Sequence, residues 1–240
     1  MRLARFRKER YMAVDSLLNQ FDRDGALAET SAEALEGMDS RRSFLRKVGV
    51  GAGALVGASA LAGVFPRIAN AQIPASDIAI LNFALTLEYL EAEFYAEAVA
   101  QNKVGGGATR RFALVVANHE ASHVKFLKGV LGSKAVAKPK FDFKGTTGAK
   151  ATFEATADAL ENTGVHAYLG QVGNIKTKAV LIGAGRILPV EARHAAWIRA
   201  IRYPKGGPPV AQTPAPGTFE DGFSKAKILQ IVASTGFIVG

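Results

Sequence analysis

The chain of 240 residues contains no cysteine, which excludes disulfides and thiolate-held metals. It does not exclude export, because many exported proteins lack disulfides. Histidine is scarce, with four residues, and tryptophan scarcer still, with one. Acidic side chains are outnumbered, 21 Asp/Glu against 30 Lys/Arg, giving a net charge of +9 and a pI near 9.8. Such an excess raises nucleic acid as a partner, so its location decides. From residue 72 onward there are 19 Lys/Arg and 13 Asp/Glu, dispersed over loops and helix surfaces as at Lys134, Lys138, Lys140, Lys144 and Lys150. No basic stripe interleaved with aromatics and no nucleic-acid motif is present, so the charge reads as a solvated surface with no nucleic-acid partner. A long membrane-spanning run is missing too. The uncharged stretch 48–65 has 18 residues, the short limit for a bilayer, and five of them are glycine.

That stretch fits an address better than an anchor. Ser40-Arg41-Arg42-Ser43-Phe44-Leu45 precedes it, and Ala69-Asn70-Ala71 follows. A charged region, a moderately apolar region and an A-x-A site make an export signal. The paired arginines resemble the twin-arginine pattern, which implies passage of an already folded protein through the twin-arginine export machinery. The expected location is periplasmic or secreted, with cleavage after Ala71 and a mature chain from Gln72. Residues 1–37 are long for such a signal; they read as an extension from Met1, or as sequence ahead of a start at Met12 or Met38. The domain division expected is therefore 1–71 for extension and signal, and 72–240 for the folded domain.

Within the folded part, what is present is a repeated pair. Glu120-Ala-Ser-His123 has a counterpart in Glu191-Ala-Arg-His194. Residues three apart share one face of a helix, so each tetrad offers a carboxylate and an imidazole side by side, two ligands suited to a transition metal. Upstream of the tetrads stand Glu88 with Tyr95 and Glu161 with Tyr168, both pairs seven apart. The copies are offset by 73 residues at the Glu and Tyr positions and by 71 at the tetrads, a degenerate duplication visible at polar positions. The midpoint between Glu88 and Glu120 falls beside Gly105-Gly106-Gly107, and that between Glu161 and Glu191 falls within 173–177. In an antiparallel helix hairpin, residues equidistant from the turn lie level. Two such hairpins packed face to face bring four carboxylates and two imidazoles to one point.

The apolar periodicity supports helices of about Asp77–Gln101, Thr109–Leu131, Thr152–Val172 and Thr177–Arg202. Ser76 or Asp77 is the expected N-cap of the first, and Gly132 closes the second. In each stripe an acid stands where a core residue belongs: Glu88 among Leu81, Leu85, Ala92, Tyr95 and Val99; Glu120 and His123 among Ala113, Val116, Val124, Leu127 and Leu131; Glu161 among Ala157, Val165, Tyr168 and Val172; Glu191 and His194 among Ala184, Ile187, Leu188, Ala195 and Ile198. Glu93 and Glu97 lie off the first stripe and read as solvated. Glu91, about 60° from Glu88, reads as a support for the ligands or an alternative ligand, and Glu154 as a weaker candidate. His119 reads as a partly exposed polar residue, His166 as non-ligating, and Trp197 as a core aromatic. Pro189 is expected to kink the fourth helix near the site. The connection 133–150 is long enough, at up to roughly 60 Å, to run the length of a helix of about 33 Å, so that the third helix starts beside the start of the second. A short apolar helix, Ala226–Ser234, follows a Pro/Gly-rich link.

Four carboxylates facing one core cannot all stay ionised unpaired, since each buried unpaired charge costs several kcal/mol; two divalent cations neutralise them. The pattern resembles the ferritin-like di-iron carboxylate superfamily. Three phrases, at 87–95, 160–168 and 190–196, resemble the secreted ferritin-like domain family that includes the plant desiccation-related proteins. The resemblance spans about 76–240. It implies an all-α ferritin-like four-helix bundle, with a long crossover between helices 2 and 3 and a short C-terminal helix. It also implies two iron ions, manganese being the alternative, with O2 or peroxide as reaction partner. Glu120 and Glu191 would bridge the metals, Glu88 and Glu161 would be terminal, and His123 and His194 would hold one metal each. Tyr95 and Tyr168 would hydrogen-bond carboxylates. No catalytic residue is expected beyond the ligands, and a homo-oligomer is the remaining partner expectation. The reactions open at this point are Fe(II) oxidation or peroxide consumption, manganese-dependent peroxide dismutation, and a non-enzymatic stress or desiccation role with a structural metal.

Overall fold

The structure is a computed structural model and describes residues 73–204 and 210–239. The extension and the twin-arginine signal expected over 1–71 lie outside the described residues. Helix α1 spans Ala75–Gln101, α2 Gly107–Leu131, α3 Lys150–Val172, α4 Lys178–Arg202 and α5 Lys225–Thr235. Each boundary falls within two residues of the periodicity reading. Among the described residues no helix is long and apolar enough to cross a membrane.

Tight turns make the two hairpins. The first uses Asn102 in the left-handed region at φ 54° and Gly105 at φ 85°, a conformation glycine adopts at least cost. The second closes through 173–177. At its end the expected cap is corrected: Pro74 stands at the α1 N-terminus without a side-chain cap, and Asp77 instead accepts the backbone N–H groups of Lys176 and Thr177 at 3.1 and 2.8 Å. Asp77 thus satisfies orphan donors at the start of α4 rather than those of its own helix.

The crossover lies along α1. In sequence order Asn82 bonds the Lys134 carbonyl at 2.9 Å, Tyr89 the Val136 carbonyl at 3.4 Å, Glu93 pairs with Lys138, and Glu97 accepts the Thr147 hydroxyl. Glu93 and Glu97 are partly exposed partners of the crossover, the Glu93 side chain remaining 44% exposed. The segment delivers α3 to the start of α2, where Thr109 donates to Glu154 at 2.5 Å. Phe141 then pairs with Ile238 in an isolated antiparallel bridge, with Asp142 N–H to Phe237 O and Val239 N–H to Lys140 O both at 2.9 Å.

Covered by crossover and tail, α1 is buried well beyond one stripe. Phe83, Leu87, Leu90 and Phe94 are core residues alongside the expected Leu81, Leu85 and Tyr95. The apolar interior falls into two clusters, one around Phe94, Tyr95, Phe112, Phe143 and Phe153, the other around Leu81, Leu85, Leu127, Leu131 and Ile187. On α2 and α4 the Glu and His of each tetrad lie between the residues of the two clusters.

Candidate metal centre

Glu88, Glu120, Glu161 and Glu191 are fully buried, His194 is 2% exposed and the His123 side chain 12%. The fold brings all six to one point. Ligand atoms of Glu88, Glu120, His123 and Glu191 lie within 4.8 Å of one another, as do those of Glu120, Glu161, Glu191 and His194. The two quartets share Glu120 and Glu191, one acid from each tetrad.

Both imidazoles turn Nδ1 inward. That of His123 lies 3.2 Å from Glu88, 3.0 Å from Glu120 Oε2 and 3.1 Å from Glu191 Oε1. The His194 Nδ1 lies 3.1 Å from Glu120 Oε1 and 3.1 Å from Glu161 Oε2. Glu120 therefore presents one oxygen to each half. The tyrosines act across the pseudo-symmetric pair: Tyr95 on α1 donates to Glu161 on α3, and Tyr168 on α3 donates to Glu88 on α1. Each quartet-specific acid is thus oriented by a hydroxyl from the opposite hairpin.

The shared acids are treated differently. Glu191 Oε2 is buried with no hydrogen-bond partner, and Glu120 Oε1 and Glu191 Oε1, each 3.1 Å from an imidazole nitrogen, are buried without a properly aligned hydrogen bond. Buried polar atoms are almost always satisfied, and exceptions point to an absent partner such as an ion. A divalent cation fits this donor set of hard carboxylate oxygens and imidazole nitrogens.

Without a cation the cluster is electrostatically frustrated. Burial, opposed by His123 and reinforced by Glu120, pushes Glu88 up to about 7. Burial likewise raises Glu161, against the pull of His194. Burial, then the charge of Glu120 and Glu88, drives Glu191 well above the carboxylate range. Burial also opposes ionisation of Glu120, but the bond from His123 and the adjacent imidazole of His194 overcome it and hold this acid down to about 2. Burial disfavours the imidazolium of His194, yet Glu120 and Glu161 lift it to about 10. His123 is raised as well, burial being outweighed by Glu88 and by Glu120 and Glu191.

Two nearby residues carry more than the periodicity assigned them. His119 is exposed as expected, yet its Nδ1 stands 2.8 Å from His194 Nε2, with the rings stacked 5.1 Å apart. It therefore fixes the outward nitrogen of the inner histidine. Its only sequence signal is its place one residue before Glu120. Glu91 is buried and close enough to the four acids that, after burial, their charges raise it well above its ordinary range. Glu91 and Glu154 both stand outside the two quartets, and Glu154 is tied to Thr109 instead. His166 is held by the Asp221 carbonyl at 2.6 Å and stacks on Phe223. Trp197 packs edge-on against Phe112 at 5.2 Å. Pro189 lies within α4 on its exposed side, its carbonyl accepting from Arg193 at 3.2 Å.

No curated protein matches the chain. Residues 76–204 match the family model of the ferritin-like domain, more than half of the chain, and cover all four bundle helices and both tetrads. The chain belongs to the ferritin-like domain family.

Proposed function

We propose that Glu88, Glu120, His123, Glu161, Glu191 and His194 hold two metal ions, iron by preference and manganese as the alternative. The protein then oxidises Fe(II) with O2 or peroxide, or consumes peroxide. The observation carrying this reading is the pair of overlapping quartets that share Glu120 and Glu191, so that these two acids would be available to both ions. Bound iron supplies one-electron steps between its divalent and trivalent states. The chain's own part is positional. Glu120 offers one oxygen to each half, Tyr95 and Tyr168 hold the terminal acids, His119 steadies the His194 ring, and the flanking apolar clusters restrict water.

The export signal read from Arg41 and Arg42 completes the proposal: the protein folds and takes up metal before it leaves through the twin-arginine machinery, and works in the periplasm or outside the cell. A structural role for the metal is a second reading. It is favoured by the number of buried acids whose ionisation opposes folding when no cation is present.

Stopped-flow mixing of metal-free protein with Fe(II) and O2 separates the two. The catalytic reading expects oxidation faster than in buffer and lost in Glu191→Gln. Binding of two ions with no acceleration, under both O2 and peroxide, would leave the structural reading standing.

A further inference from the structure

The duplication is broken at one position inside the core. The offset of 73 that carries Glu88 to Glu161 and Tyr95 to Tyr168 carries Glu91 to Gly164. The absence of a side chain at Gly164 has a spatial consequence. A Cβ there would lie 3.1 Å from Glu191 Oε2 and 3.3 Å from Glu91 Oε1, closer than carbon and oxygen comfortably approach. The carboxyl of Glu91 therefore uses room that its symmetry-related position leaves empty, and it shares that room with an acid common to both quartets.

The geometry also says which half Glu91 faces. Glu191 Oε1 is the oxygen turned to His123, at 3.1 Å. Its other oxygen, Oε2, is the one beside Gly164, one helical turn from Glu161 on α3. Glu91 is 3% exposed and belongs to neither quartet, so it would reach a metal by a change of side-chain rotamer. Tyrosines hold Glu88 and Glu161 in place; among the described residues no tyrosine bonds Glu91.

We propose that Glu91 is a seventh metal ligand that serves only the ion held with Glu161 and His194, so that the two metal positions are unequal. This rests on the two-metal reading above. Substituting the symmetry-related glycine closes the space and removes the extra ligand, which makes Glu91 and Gly164 one device.

Calorimetric titration of metal-free protein with Co(II), together with the visible spectrum of the bound ions, tests it. Wild type should take up two Co(II) in separable steps. Glu91→Gln, isosteric and uncharged, should weaken one step by about 10-fold or more and shift the bands of that ion, leaving the other step unchanged. Gly164→Ala, whose Cβ would press on Glu191 Oε2 as well as on Glu91 Oε1, should weaken both steps, the step lost in Glu91→Gln the more. Unchanged steps and spectra in both variants would overturn the assignment, as would equal weakening of both steps in Glu91→Gln, which marks a diffuse charge effect. Wild type binding fewer than two ions would instead remove the two-metal reading on which it rests.

Discussion

Glu191 and Glu88 differ in one respect that an experiment can read. Ligand atoms of Glu191 belong to both quartets and those of Glu88 to one. Glu191→Gln should therefore weaken both ions, and Glu88→Gln one of them, each by at least ~10-fold, measured by metal titration. Tyr168→Phe removes the hydroxyl on Glu88 without touching a ligand, and His119→Ala frees the His194 ring. Each should cost about 10-fold in affinity for the ion on its own side, and equal affinity in both variants would refute the orienting roles. The convergence of the six acids and histidines with Tyr95 and Tyr168 was legible because polar side chains interrupted apolar stripes at matching intervals. The role of His119 was not, since an exposed residue beside a ligand has no periodic signature, and its partner His194 is 75 positions away. Glu91 could be placed at the edge of a stripe, but only the space over Gly164 shows where it reaches.

Helix positions followed from periodicity because the apolar stripes and the turns agreed. The breadth of burial on α1 did not, since the residues covering its outer face belong to the crossover and the tail. Phe94 is the centre of that hidden packing, stacked on Phe153 at 5.4 Å and edge-on to Phe143 at 5.4 Å. Phe94→Ala should cost about 3–5 kcal/mol, read from urea unfolding; a loss under 1 kcal/mol would mean the crossover is not part of the core. The tail is fixed at another close approach. Phe223 N–H bonds His166 O at 2.9 Å, and a Cβ on Gly170 would stand 1.9 Å from the Phe223 carbonyl oxygen. Backbone cannot yield as a flexible side chain does, so Gly170→Ala should displace the tail and destabilise by about 1–3 kcal/mol. Unaltered stability together with unaltered protease resistance around 215–225 would contradict that placement.

For the molecule as a whole, the centre makes stability depend on pH in opposite senses with and without metal. In the metal-free protein Glu88, Glu161 and Glu191 titrate above their ordinary 4.5. The folded form keeps protons that the unfolded chain releases, so their contribution is full below that value and is lost as pH rises through the folded ones. His123 and His194 are also raised, from 6.5, and act in the same direction, up to about 10 for His194. Glu120, held to about 2, does the reverse, contributing above 4.5 and losing its share as pH falls. Metal-free protein should thus be most stable near pH 5 and lose several degrees of Tm, ~5 °C, by pH 8. Metal-loaded protein should gain over the same range, because cations bind the deprotonated acids; parallel curves in scanning calorimetry would argue against metal at this point.

The most direct test is the number of ions taken up. Metal-free protein titrated with Fe(II) under argon should bind two per chain, and Glu120→Ala combined with Glu191→Ala should bind none tightly while keeping its helical content. Saturation of wild type at one ion or fewer per chain would contradict the convergence of both tetrads on a shared two-metal centre.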